Sequence, residues 1–331
     1  MRLLTFKDAI REAQEEVLKD SSVVLIGEGV PDPKRIFGTT AGLKEKFPNQ
    51  VFDMPVSENG MTGVCVGVAV NGLKPILVHQ RMDFSLYSMD QIVNNAAKWY
   101  SMFGGNGGSC PLVIRMIIGR GWGAGNQHSQ NLTALLAHIP GLKIMFPTNA
   151  RDAYSLFIEA VKDPNPVIFI EHRWLYETVS NMDHQQIDYD PDCEISVLAI
   201  GHAALEARKA REALEQFGIR IRVIEIQKIK PVFLGDITNK SNQFIIVEDA
   251  WEYGGLAGEI GMRLYEQGAK RVQRITCPDY PAASSPALTK DYYPTAGQIV
   301  HMVGKMLNKN TPNIVKLLPH DVPDATFRGP F

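Results

Sequence analysis

A two-domain α/β protein built on parallel sheets is the fold class that this sequence predicts, and three observations carry the prediction. Short continuous apolar runs alternate with stretches of helical period over most of the chain, the pattern of parallel strands buried on both faces by crossover helices. That alternation stops at 182–192, where Asp183-His184-Gln185-Gln186-Ile187-Asp188-Tyr189-Asp190-Pro191-Asp192 is polar and without period, and then it resumes. The chain has 331 residues, 45% apolar and 21% charged, which is ordinary globular composition and enough for two cores.

Taken in order, Thr5 followed by Asp8 resembles a capping box, and Ala9, Ile10, Ala13 and Val17 form the apolar stripe of a first helix. The β-rich run 22–26 ends at Gly27. Residues 51–63 read as strand, turn and helix, the helix continuing to 70. The runs 75–78, 112–118 and 167–170 read as buried strands, and 85–101 and 150–162 as the helices between them. Beyond the break, strands at 195–200, 221–226 and 244–247 alternate with helices at 203–217, 256–265 and 295–307, a smaller second α/β domain. The expected organisation is a first domain over 1–182, a linker over 183–192, a second domain over 193–310 and a tail over 311–331. The tail carries Pro312, Pro319, Pro323 and Pro330 and is expected to run over the surface or onto a partner.

Composition excludes several classes of function. Lys plus Arg is 34 and Asp plus Glu is 36, a formal net charge of −2, without the basic excess of a general nucleic-acid binder. High apolar content with low net charge excludes a disordered chain. Cys65, Cys110, Cys193 and Cys277 are far apart and form no C-x-x-C pair, which argues against a local zinc or redox site and fits a reducing compartment. The first residues form no apolar secretory core, and the small-apolar stretch 61–70 is too short to span a bilayer. The expectation is a cytoplasmic protein with neither nucleic-acid nor membrane partner.

Three places could carry chemistry. Glu58 stands between the end of a strand and the start of a helix, where open α/β sheets place ligands; Gly63, Gly67 and Ala69 leave that helix open to close approach. The same position suits an acid held only by the helix dipole. The loop Gly119-Arg120-Gly121-Trp122-Gly123-Ala124-Gly125-Asn126-Gln127-His128 follows a strand, and its glycines permit positive φ and close approach to a ligand. Its spacing does not match the dinucleotide fingerprint, and His128 alone is as well read as a structural hydrogen-bonder. The turn Ala160-Val161-Lys162-Asp163-Pro164-Asn165-Pro166 concentrates oxygens that either close a tight turn or hold a hard cation.

In this order the pieces resemble the β subunits of thiamine-diphosphate-dependent 2-oxo acid dehydrogenase E1 components, such as pyruvate or branched-chain 2-oxo acid dehydrogenase. The resemblance runs from about Thr5 to about Leu307. It rests on Ile26-Gly27-Glu28, on Asp53-x-Pro55-Val56-Ser57-Glu58-x-Gly60-x-x-Gly63, and on Phe84-Ser85 followed by Asp90-Gln91-Ile92-x-Asn94-x-Ala96-Ala97-Lys98. Gln127-His128-Ser129-Gln130, Pro140-Gly141-Leu142-Lys143 and Asp163-x-Asn165-Pro166-Val167 complete it. It implies a transketolase-like pyrimidine-binding domain followed by a transketolase C-terminal-type domain. It implies that Glu58 protonates the aminopyrimidine of the cofactor and that His128 serves the developing oxyanion or moves protons. Cofactor contacts are implied for Glu28, Glu58, Gln80 and Phe84.

The family's Gly-Asp-Gly motif for the diphosphate and its Mg²⁺ is absent from the sequence. The resemblance therefore implies an α subunit that supplies this half of the site, in an α2β2 assembly. It further implies acyl transfer to lipoamide on a lipoyl-bearing E2 core, and a K⁺ site of mostly backbone oxygens at Leu112, Ala160, Val161, Asp163 and Asn165. Two other readings stand beside it: a thiamine-dependent carboligase that condenses with an aldehyde or ketone, and a catalytically silent assembly subunit. The sequence departs from the family at His79-Gln80-Arg81, where the compared subunits are mostly apolar or uncharged, and at Gln227-Lys228-Ile229-Lys230-Pro231, and its tail is longer. The first departure reads either as a polar edge that faces a partner or as a site for a more polar substrate or acceptor than pyruvate.

Overall fold

Thr5 turns the chain from strand β1 (Leu3–Thr5) into helix α1 (Phe6–Val17): its hydroxyl accepts from the Asp8 N–H at 3.2 Å, and Phe6, Ala9, Ile10 and Ala13 are buried beneath. The computed structural model describes residues 2–32, 35–103, 108–121, 123–183, 193–235, 237–239, 241–289 and 291–311. Most of the expected linker and the tail beyond 311 lie outside the described residues.

The chain continues through β2 (Val23–Gly27), α2 (Leu43–Lys46), β3 (Val51–Asp53), α3 (Glu58–Val70) and β4 (Lys74–His79). After α4 (Trp99–Phe103) come β5 (Val113–Ile118), α5 (Thr133–Ala137), β6 (Lys143–Met145), α6 (Ala150–Lys162), β7 (Val167–His172) and β8 (Val179–Asn181). Then follow β9 (Ser196–Ile200), α7 (Ala203–Glu215), β10 (Arg222–Ile226), β11 (Lys228–Lys230), β12 (Gln243–Trp251), α8 (Leu256–Glu266), β13 (Arg271–Cys277), α9 (Pro286–Thr289) and α10 (Ala296–Leu307).

Two compact units divide the chain, one drawn from 1–118, 135–185 and 228–231, the other from 119–134, 186–227 and 232–331. The first holds a seven-stranded sheet in the order β11-β6-β7-β5-β4-β2-β3, parallel except for β11, with β1 and β8 paired antiparallel apart from it. The second holds a parallel four-stranded sheet in the order β10-β9-β12-β13. There Ala203, Ala204, Ala207 and Ala210 present a small-residue face of α7 to Val197, Ala199 and Ile245, beside Ile299 and Val303 of α10. A reciprocal capping box between Thr295 and Gln298 starts α10.

Two departures from the sequence reading have physical causes. The expected helix over 85–101 is broken into a 3₁₀ segment (Met82–Ser88), a π-helix (Gln91–Ala96) and α4. Ser85 donates to the Met82 carbonyl and Asn94 to the Asp90 carboxylate, local side-chain bonds of the kind that compete with regular helix. Strand β13 was not expected, because Arg271, Gln273 and Arg274 interrupt its apolar pattern; an edge strand tolerates them.

A charge network is buried inside the first unit. Arg115 of β5 and Glu171 of β7 are both fully buried and form a two-pronged ion pair. Arg115 also donates to Gln14 Oε1 at 2.7 Å and Thr39 Oγ1 at 2.8 Å, and the Tyr176 hydroxyl donates to Glu171 at 3.0 Å. The pair therefore ties α1, the segment at Thr39 and two central strands together. Removing one member leaves an uncompensated buried charge. Arg115→Met is expected to lower stability by about 3–5 kcal/mol in denaturant unfolding, and Arg115→Met with Glu171→Gln by clearly less.

Candidate active site

The site begins where three parallel strands end. β2 finishes at Gly27 and releases Glu28; β3 finishes at Asp53; β4 finishes at His79 and releases Gln80. Asp53 Oδ1 accepts from the Gly29 N–H at 2.9 Å and the Met54 N–H at 3.0 Å, which holds the two strand ends together. Gln80 Nε2 donates to the Glu28 carbonyl at 2.7 Å. Gly29 has φ +70°, and a Cβ there would stand 2.7 Å from that amide nitrogen, so only glycine leaves Gln80 its seat.

Glu58 is the first residue of α3, half-buried, and its carbonyl accepts from the Thr62 hydroxyl at 2.6 Å. Burial raises the Glu28 carboxyl above its ordinary value, and the charges of Glu58, Asp53 and Asp32 raise it further; no cation is among the groups that perturb it. Four carboxylates thus bear on one place, an arrangement suited to holding a proton and handing it to a ring nitrogen. On the outer side of α3, Val64 is exposed and a Cβ at Gly67 would meet nothing, so this face is open on the chain by itself.

Phe84 lies in the 3₁₀ segment, half-buried, and its N–H donates to the Arg81 carbonyl at 3.2 Å. His79 is buried with no partner at Nε2, and burial pushes its pKa down to about 4, so it is neutral at physiological pH.

His128 belongs to the second unit and is exposed, at the end of a short 3₁₀ turn. Its loop is fastened within that unit. Arg120, almost wholly buried, donates to the carbonyls of Ala283, at 3.1 Å, and Ser284. A Cβ on Gly125 would collide with Ser284 Oγ, and Asn131 Nδ2 lies 3.3 Å from Asp249 Oδ1. Trp122 lies outside the described residues. The sequence singled out this loop for its glycines but missed the role of Arg120; a basic residue inside a glycine loop was the available signal.

The candidate cation turn gathers its oxygens at the end of α6, several of them already engaged. The Leu112 carbonyl accepts from the Val167 N–H at 2.9 Å and the Ala160 carbonyl from the Asp163 N–H at 3.2 Å. Asp163 accepts from the Asn165 N–H at 2.9 Å and is ion-paired with Lys143. A cavity of about 350 Å³ beside it is lined by Ala97, Lys98, Cys110, Gly141, Lys143 and Asn165. Among the described residues no group of three or more His, Cys, Asp or Glu could hold a metal, and no helix is long and apolar enough to cross a membrane.

Glu248 was not a sequence candidate. It is buried within β12 and accepts from the Ala257 N–H of α8 at 2.7 Å. Burial raises its pKa from 4.5 to about 7 despite that bond, with neighbouring Asp249 adding to the rise. A carboxyl whose folded pKa is raised binds its proton more tightly when folded, so its contribution to stability is lost as pH rises from about 4.5 through 7. Denaturation midpoints of the chain are expected to fall between pH 5 and 8, and Glu248→Gln to flatten that fall.

Comparison with known proteins gives a consistent family. The transketolase pyrimidine-binding domain family matches residues 3–178, and the transketolase C-terminal domain family matches 185–299. The chain is 32% identical over 320 residues to the pyruvate dehydrogenase E1 component subunit beta of Rickettsia felis, covering 92% of this chain and 98% of that one. It is 31% identical over 332 residues to the acetoin:2,6-dichlorophenolindophenol oxidoreductase subunit beta of Cupriavidus necator, with the same coverage. Among solved structures it resembles a split-gene transketolase described as an inactive beta4 tetramer, with a TM-score of 0.74 at 20% identity, over 92% of this chain and 98% of that chain, a likeness of fold.

Proposed function

The chain belongs to the E1 β-subunit family of thiamine-diphosphate-dependent 2-oxo acid dehydrogenases, and from that membership we propose how its own residues serve the reaction. The observation that carries the reading is the cluster of Glu28, Asp53 and Glu58 at the ends of β2 and β3 and the start of α3, with the Glu28 carboxyl raised by burial and then by its neighbours. Such a cluster fits a cofactor that must be protonated on a ring nitrogen. Thiamine diphosphate, when bound, supplies a nucleophilic carbon and an electron sink for decarboxylation of the 2-oxo acid. Glu58 holds the proton that passes to the aminopyrimidine N1′, and Glu28 extends the proton path. Gln80 fixes the backbone of Glu28, and Phe84 offers a ring face beside the aminopyrimidine. His128 donates to the oxyanion that develops on the substrate carbonyl.

The diphosphate and its Mg²⁺ fall to an α subunit, because this sequence has no Gly-Asp-Gly motif. The open face of α3 supports an assembly in which that partner completes the site, with α2β2 stoichiometry and a lipoyl-bearing E2 core as acyl acceptor. A K⁺ at the turn of Leu112, Ala160, Val161, Asp163 and Asn165 would use the remaining carbonyl lone pairs and compete with Lys143 for Asp163.

With the chain reconstituted with its α subunit, Glu58→Gln is expected to lower kcat for the 2-oxo acid by about 100-fold or more, with cofactor binding retained by fluorescence titration. His128→Ala is expected to lower kcat by about 100-fold with a smaller change in KM. Wild-type turnover in Glu58→Gln overturns the assignment.

A further inference from the structure

The cations released at the ends of β4 and β7 have no place in the chemistry above. We propose that Arg81 and Arg173, with the ring of Phe37, form a subsite for an oxyanion, a carboxylate or phosphate carried by the substrate at the end remote from its reacting carbonyl. This deepens the preceding reading and rests on it.

The topology comes first. The strand order β7-β5-β4-β2-β3 lines charged residues along the C-terminal edge of the sheet, where such sheets take ligands. Carboxylates stand at β2 and β3, as Glu28 and Asp53, while Arg81 and the buried Asp83 follow β4 and Arg173 follows β7. Arg81 sits beside Gln80, and its carbonyl accepts from the N–H of Phe84, so it shares a turn with two proposed cofactor contacts.

The two guanidiniums then converge on one ring. Arg173 Cζ lies 4.6 Å and Arg81 Cζ 5.9 Å from the Phe37 centroid. Arg81 is only 8% exposed, and Arg173 is half-buried. A cation–π contact contributes about 0.5–1 kcal/mol at an exposed site and about 2 kcal/mol when desolvated, a modest return for drawing the Arg173 guanidinium out of water beside a second cation. Arg173 Nη1 is buried without an acceptor. The nearest carboxylate in sequence, Glu171, is taken up by Arg115 and Tyr176.

The ring is also held at a cost. Arg35, Ile36 and Phe37 are three successive non-glycine residues in the left-handed region, with φ of 46°, 49° and 56°. Left-handed backbone costs roughly 1–2 kcal/mol per residue for side chains of this kind. Strain and an unanswered buried donor at one spot are the features that an absent ligand explains. An oxyanion answers the Arg173 donor, and the Arg81 guanidinium on the same ring adds a second charge-assisted contact.

The test is isothermal titration of the full chain with inorganic phosphate and, separately, with succinate. Saturable binding of at least one probe is expected, weakened tenfold or more by Arg173→Met and by Arg81→Met. Tighter phosphate binding identifies a phosphorylated substrate, and tighter succinate binding a dicarboxylic one. Should Arg81→Met fail to fold, the more exposed Arg173→Met decides. Glu58→Gln serves as the control: it retains anion binding whether or not turnover is lost, so the catalytic reading and the subsite fail separately. Absence of saturable binding by either probe, or wild-type affinity in Arg173→Met, overturns the proposal.

Discussion

The site depends on the parallel register of β2 between β3 and β4. Gly27 stands opposite Asp53 on one side and Val78 on the other. A Cβ on Gly27 would lie 2.8 Å from Val78 Cβ, so the strands approach this closely only because the residue is glycine. That register sets Glu28 beside Asp53 and within reach of Gln80. Burial at this strand end raises the Glu28 carboxyl, and the neighbouring carboxylates raise it further. A slip of one residue would turn each side chain to the other face of the sheet and disperse the cluster.

Much of this was legible in the residues. The apolar runs marked the buried strands, and the strand-turn-helix pattern around Glu58 marked the strand end at which the carboxylates gather. Thr5 and Asp8 also announced the start of α1. What escaped was polar structure inside apolar context. Arg115 interrupts a β5 that otherwise reads as buried core, and its role depends on Gln14, Thr39 and Glu171, partners remote in sequence that no local pattern reveals. The break-up of the 85–101 helix escaped for the opposite reason. Its composition suits a helix, and only the bonds made by Ser85 and Asn94 show the backbone taking another path.

Of the candidate catalytic and cofactor-binding residues, Glu28, Glu58, Gln80 and Phe84 lie in the first unit, while His128 lies in the second, on a loop that Arg120 fastens to the carbonyls of Ala283 and Ser284. The carboxylate cluster and His128 are therefore built on separate scaffolds. A sequence can name both residues, because each sits in a short motif. It can flag Arg120 as a basic residue inside a glycine loop but not its acceptors, which are backbone atoms more than a hundred positions away.

The two units also exchange chain. The segment 119–134 interrupts the first sheet's connections to join the second unit, and β11 returns from the second stretch of chain to pair with β6. A cut at the polar stretch after Met182 would thus separate each half from a piece that completes it. Chimaeras that trade C-terminal halves between relatives at that breakpoint would mismatch the loop bearing His128 with a foreign anchor. The side-chain contacts that would feel such an exchange are Gly125 against Ser284 and Asn131 with Asp249, each joining two stretches of chain far apart in sequence.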